Sequence, residues 1–169
     1  MADVTKPSFL VDTCSDPVAI RIEGRASFQN SPSLNEFFNT LVAQGRTRFV
    51  IDFQSCSSMD STFLGVLAGV ALQLRKQPTP GSLVLCRLGE RNLELVRNLG
   101  LHRLLTVDTE TSGVKTSGLS ALPNLPAQGE LESARSVLAA HENLVAADAA
   151  NQAKFQDVLS FLKSRVQQG

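Results

Sequence analysis

Residues 55–76, SCSSMDSTFLGVLAGVALQLRK, constrain the fold more than any other stretch, because a polar run turns at Asp60 and Ser61 into a nearly uncharged helical pattern. At ~100° per residue, Phe63, Leu67, Val70 and Leu74 fall together, flanked by Leu64, Val66 and Ala71. The opposite side collects Ser61, Thr62, Gly65, Ala68, Gly69, Leu72, Gln73 and Lys76. A solvent-facing side would carry more charge. Small side chains with sparse charge imply cover, either by another part of the same chain or by a separate protein docked there. The apolar run from Phe63 to Leu74 is too short to span a bilayer.

Asp60 suits the N-cap of this helix, since its carboxylate accepts from unpaired amide N–H groups at the positive end of the helix dipole. Ser61 by itself reads as a first-turn serine. A phosphate on its hydroxyl would add ~1.5 to 2 negative charges at the start of the small-residue face. The helix N-terminus can hold such an anion. A partner burying that face would suffer from desolvating it.

The flanking segments define the fold class. Val18 to Ile22, Arg48 to Phe53, Ser82 to Cys86 and Leu104 to Val107 read as strands, with Ser8 to Cys14 as a leading edge strand. Between them, Leu34, Phe37, Phe38, Leu41 and Val42 follow helical spacing, with Ser31 as cap, Pro32 in the first turn and Gly45 at the exit. Leu93, Leu95, Val96 and Leu99 end at Gly100 in the same manner. Alternating strands and helices predict a small α/β layer fold over residues 1–108. Residues 109–128, rich in Ser, Thr, Gly and Pro, read as a linker. Residues 129–169 form a C-terminal helix or helical hairpin.

The run FVIDFQSCSSMDSTFLGVLAGVALQLRK, followed by GSLVLCRLGERNLELVRNLGLHRLLTV, resembles a STAS domain of the bacterial anti-sigma-factor antagonist type. The resemblance covers about residues 8–108: a strand ending in Asp52, a loop, Met59-Asp60-Ser61-Thr62 at a helix start, a Gly81-led strand, and a helix closing on Leu99-Gly100-Leu101. It implies a mixed sheet of four to five strands backed by helices, with no catalytic residue and no cofactor. It also implies a partner switch, in which an anti-sigma factor or serine kinase phosphorylates Ser61, a serine phosphatase reverses this, Asp60 supports the phosphosite, and Thr62 is the less favoured acceptor. The surface expected to meet that partner is the small-residue side of the helix with the loop before it: Ser58, Met59, Asp60, Ser61, Thr62, Gly65, Ala68, Gly69, Leu72, Gln73 and Lys76. Phe63 departs from the family pattern, which usually has glycine there. The family also contains constitutive subunits of signalling scaffolds and transporter complexes, which is the alternative reading of this chain.

In the C-terminal segment, Leu131, Ala134, Leu138, His141, Val145, Asp148, Gln152, Phe155, Leu159, Leu162 and Val166 recur at spacings of three and four. The polar middle argues against a tight continuous coiled coil, and Asp148 can cap a second helix. The stripe finds cover on the STAS-like domain, on a second copy in a homodimer, or on the partner; folding back on the same chain is the first reading.

Other chemistries are disfavoured. The 16 basic and 16 acidic residues balance, which offers no general attraction for nucleic acid or a membrane surface. The N-terminus lacks the pattern of a secretory signal, so the expected compartment is the cytoplasm. Cys14, Cys56 and Cys86 have no metal-like spacing, and neither do His102 and His141. A Ser61–histidine hydrolase pair lacks the G-x-S-x-G elbow. Arg87, Arg91, Arg97 and Arg103 could share a basic surface around the third helix.

Overall fold

The computed structural model describes residues 8–108 and 118–168. The N-terminal stretch and the first part of the linker therefore lie outside the described residues. The elements are β1 (Phe9–Asp12), β2 (Val18–Ile22), β3 (Gly24–Ala26), α1 (Ser31–Ala43), β4 (Arg48–Asp52), β5 (Cys56–Met59), α2 (Ser61–Arg75), β6 (Ser82–Cys86), α3 (Glu90–Asn98), β7 (Thr106–Asp108), β8 (Ser120–Ala121), α4 (Glu130–Ala147), α5 (Asn151–Lys154) and α6 (Gln156–Gln168). A 3₁₀ turn, Leu101–Arg103, follows Gly100, whose φ of +73° ends α3 in the left-handed region.

The main sheet is mixed, with order β7-β6-β4-β2-β1-β8. β2, β4, β6 and β7 run parallel, and β1 is antiparallel to both β2 and β8. Six strands exceed the four to five expected because β8 arises in the segment read as linker. Its pairing with Leu10 and Val11 places β1 inside the sheet, whereas the sequence suggested an edge. β3 and β5 form a separate parallel pair in a region whose polar sequence reads as loop. One local reading also shifts. Asn30, rather than Ser31, occupies the cap position of α1, and Ser31 begins the helix with its hydroxyl on Ser27 O at 2.6 Å.

The alternation of β4 explains both faces of the sheet. Phe49 and Ile51 are buried in the main core, while Asp52 and the half-buried Val50 belong to the other side. The main core gathers five fully buried rings, Phe9, Phe38, Phe49, Phe53 and Phe63. Phe63 stacks on Phe9 with centroids 6.4 Å apart and meets Phe53 edge-on at 6.5 Å. Phe63 therefore anchors the first turn of α2 to the sheet.

On the other face, Asp52 is fully buried and takes Arg87 Nε at 3.1 Å, Arg21 at 3.4 Å and the Gln54 amide at 3.0 Å. Burial alone would raise its carboxyl, but these donors outweigh burial and hold it below the ordinary carboxylate value. Arg87, in the left-handed region at φ 56°, turns to Asp52. It is thus committed to the sheet and does not join the basic surface expected around α3. Arg103 instead meets Asp148 at 3.7 Å.

Two outcomes follow from this packing. Phe63→Ala should destabilise the chain by about 3–5 kcal/mol in urea unfolding, because it empties the space between Phe9 and Phe53. Because the carboxyl of Asp52 is depressed in the folded state, its stabilising contribution is present above the usual carboxylate range and is lost as pH falls through the lower folded value. The urea midpoint should drop below about pH 4, and more shallowly for Asp52→Asn.

Candidate partner-binding site

The start of α2 is fixed from three sides. Asp60 N donates to Ala26 O at 3.1 Å, so the β3–β5 pair sets where the helix begins. The Asp60 carboxylate then accepts from Phe63 N at 2.9 Å and from Phe28 N at 2.8 Å. The first of these is the N-cap bond expected from the sequence; the second ties the cap to the turn before α1. Ser61 follows as the first residue of α2, with its backbone fixed and its side chain half-buried.

Phe63, Leu67, Val70 and Leu74 lie in the core as their spacing requires. The opposite side is also covered along most of its length. Thr62, Gly65 and Ala68 are buried, Ser58, Asp60, Ser61, Gly69 and Leu72 are half-buried, and only Gln73 and Lys76 are exposed. Met59 points into the main core. The cover is α4, which lies along α2. A Cβ on Gly65 would overlap the carbonyl oxygen of Ala140, and one on Gly69 would overlap the Asn143 side-chain amide. Asn143 Nδ2 donates to Gly65 O at 3.1 Å. Bare positions one helical turn apart allow this backbone-to-backbone approach.

The same helix reaches Ser61. His141 Nε2 lies 2.8 Å from Ser61 Oγ, and His141 Nδ1 lies 2.8 Å from Val137 O. A carbonyl oxygen only accepts, so Nδ1 carries a ring proton and points at Val137 O, which leaves Nε2 to share a hydrogen bond with the Ser61 hydroxyl. Phe155 packs edge-on against the imidazole at 4.9 Å. A Ser–His pair oriented by a third group has the outline of a nucleophile and base. Yet the two cavities that reach Thr62, of about 410 and 420 Å³, are lined by neither Ser61 nor His141. The arrangement is that of a hydroxyl fastened to a neighbouring helix.

The contacts of His141 with Ser61 and of Asn143 with Gly65 are the part of the site that sequence reasoning missed. The notable signal was the Gly65/Gly69 spacing, which announces a close helix without saying which one. The C-terminal stripe is also rotated from its expected phase: Ala140, His141 and Leu144 are buried, while Leu131, Ala134, Leu138 and Val145 are half-buried. The reason is that α4 touches α2 on one side and α6 on another, so its contact surface is broader than a two-helix seam. Asp148 sits at the C-terminal cap of α4, and its carboxylate accepts from Ala150 N at 3.0 Å, turning the chain toward α5.

The buried thiols are chemically quiet. Burial pushes Cys56 and Cys86 up to about 11, so both stay protonated near neutrality, whereas Cys14 is exposed. Among the described residues, no helix is long and apolar enough to cross a membrane.

A parallel-centred sheet with helices on its main face, and a capped serine opening the helix over its centre, defines a small α/β domain. Residues 9–107 match the family described as "Mlab, STAS domain", and the chain belongs to the STAS domain family. The anti-sigma-B factor antagonist of Bacillus subtilis (strain 168) is 32% identical over 96 residues, covering 57% of this chain and 85% of that protein. Among solved structures, the anti-sigma factor antagonist SpoIIAA in its unphosphorylated form matches with a TM-score of 0.51 at 20% identity, over 61% of this chain and 89% of the other. An anti-sigma factor antagonist from Mycobacterium paratuberculosis matches at 0.54 and 17% identity, over 66% and 92%. The family match ends at residue 107, before α4.

Removing the cap should weaken the site locally. Asp60→Ala is expected to lower stability by about 1 kcal/mol, and hydrogen exchange should place the loss at the first turn of α2 and the turn around Phe28.

Proposed function

We propose that this chain is a cytoplasmic, non-enzymatic partner-switching regulator: unphosphorylated, it binds an anti-sigma factor or serine kinase through the face running from Ser58 to Lys76, and phosphorylation of Ser61 releases it. A serine phosphatase restores the binding form. The observation that carries this reading is the placement of Ser61 as the first residue of a helix capped by Asp60, inside a segment that matches the family and is 32% identical to an anti-sigma-B factor antagonist.

The physical chemistry supports a switch at this residue. The helix start stabilises added negative charge through its amides and dipole. The face beginning at Ser61 is small and apolar, so a complex formed over it would have to desolvate a phosphate dianion. Modification therefore favours the free protein over the complex. Asp60, already engaged by two amides, keeps the helix start in place in either state.

The test is intact-mass analysis and peptide mapping of the protein from its native cells under several growth and stress conditions. Phosphate is expected at Ser61 under at least one of them. In affinity purification, Ser61→Ala should retain the kinase or anti-sigma factor and Ser61→Asp should lose it. Absence of phosphate throughout, with equal recovery of partners by both variants, would favour a constitutive subunit in which Ser61 only opens the helix.

A further inference from the structure

The face assigned above to a partner is already occupied by the chain itself. α4 lies against Gly65 so closely that its backbone leaves no room there for a Cβ, the Asn143 side chain lies over Gly69, and His141 holds the Ser61 hydroxyl at 2.8 Å. A second protein cannot share that contact. A phosphoryl group on Oγ would have to displace the imidazole from its hydrogen bond, and Phe155 backs the ring.

The C-terminal helices behave as one arm. Arg165 on α6 pairs with Glu130 at the start of α4, and Leu159 and Leu162 of α6 are buried. At the far end Asn151, fully buried, donates to Leu99 O at 3.0 Å and Leu144 O at 2.8 Å. Lys154 donates to Asn98 O. The bonds to Leu99 and Asn98 anchor the arm at the end of α3. Over α2 itself, α4 makes the most extensive contact between two elements among the described residues, centred on the buried Ala140, His141 and Leu144, with the two cavities beside it near Thr62. Local opening of this cover would part α4 from α2 while the Asn151 and Lys154 contacts near α3 stay in place.

We infer that the α4–α6 arm is an autoinhibitory cover for the Ser61 face. In the closed form α4 takes the place of the partner and shields the hydroxyl. Opening exposes both the docking face and Ser61, and a phosphate on Ser61 prevents the arm from closing. This inference rests on the partner-switching reading for its biological meaning, but the cover itself can be measured without any kinase or partner. Because the arm is part of the same chain, it competes at the high effective concentration of an intramolecular ligand, and a partner must outbid it.

The experiment uses the full chain carrying Cys14→Ser, which removes the exposed thiol, together with Ser61→Cys as a reporter read by N-ethylmaleimide labelling. Adding Ala140→Leu, whose larger side chain would collide with α2 at Gly65, should accelerate labelling at position 61 about tenfold or more. Asn143→Ala should act in the same direction to a smaller extent, and it decides the matter if Ala140→Leu loses its cooperative unfolding transition. In parallel, without the reporter, hydrogen exchange over residues 130–147 should be faster in Ser61→Asp than in Ser61→Ala. Equal labelling with and without the α4 substitutions, or equal exchange in the two Ser61 variants, overturns the cover while leaving phosphorylation of Ser61 open. Failure to find phosphate in cells would instead remove the switch and leave the labelling result standing.

Discussion

The structure depends on α2 being buried on two sides. One side seats Phe63, Leu67, Val70 and Leu74 in the main core, and the other lies under α4. A helix so placed can present very little charge, and its outer face must be stripped of side chains if another backbone is to approach. Gly65 costs about 1 kcal/mol in helix propensity relative to Ala, and close contact with Ala140 offsets that cost. The residues that weaken α2 as an isolated helix are those that make it a good surface.

The sheet supplies rigidity to this arrangement through a different kind of interaction. Asp52, Arg87 and Arg21 form a charged cluster on the face away from the main core, where the fully buried carboxylate is satisfied by two guanidinium groups and an amide. Removing one member of such a cluster would leave an uncompensated buried charge. Here the cluster ties the ends of β2, β4 and β6 together at the edge from which the polar segment leading to Ser61 departs. The β3–β5 pair and the Asp60 cap then carry that fixed geometry to the start of α2.

The Ser61–His141 hydrogen bond links two parts of the chain with different standing. The family match covers residues 9–107, while α4 lies beyond it. A serine at a helix start would normally be satisfied by water, and here it is satisfied by a histidine eighty positions away. The imidazole is itself oriented by Val137 O, so the bond reports the placement of the whole of α4 rather than the choice of one rotamer.

Much of this was legible in the sequence. The strands β2, β4 and β6, the helices α1, α2 and α3, the Asp60 cap and the two-sided character of α2 follow from local periodicity and capping chemistry, which depend only on neighbouring residues. β3, β5 and β8 were not legible, because their sequences are polar or short and they become strands only through a partner that the backbone brings to them. The rotated contact surface of α4 was hidden for a related reason: a stripe read at regular spacing assumes one neighbour, and α4 has two. The sequence by itself determined that the bare face of α2 must be covered, since small uncharged side chains at helical spacing admit no stable exposure. Only the tertiary structure decided that the cover is α4, with His141 on Ser61 and Asn143 on Gly65, because complementarity between distant surfaces depends on how whole elements dock and leaves no mark at any local spacing.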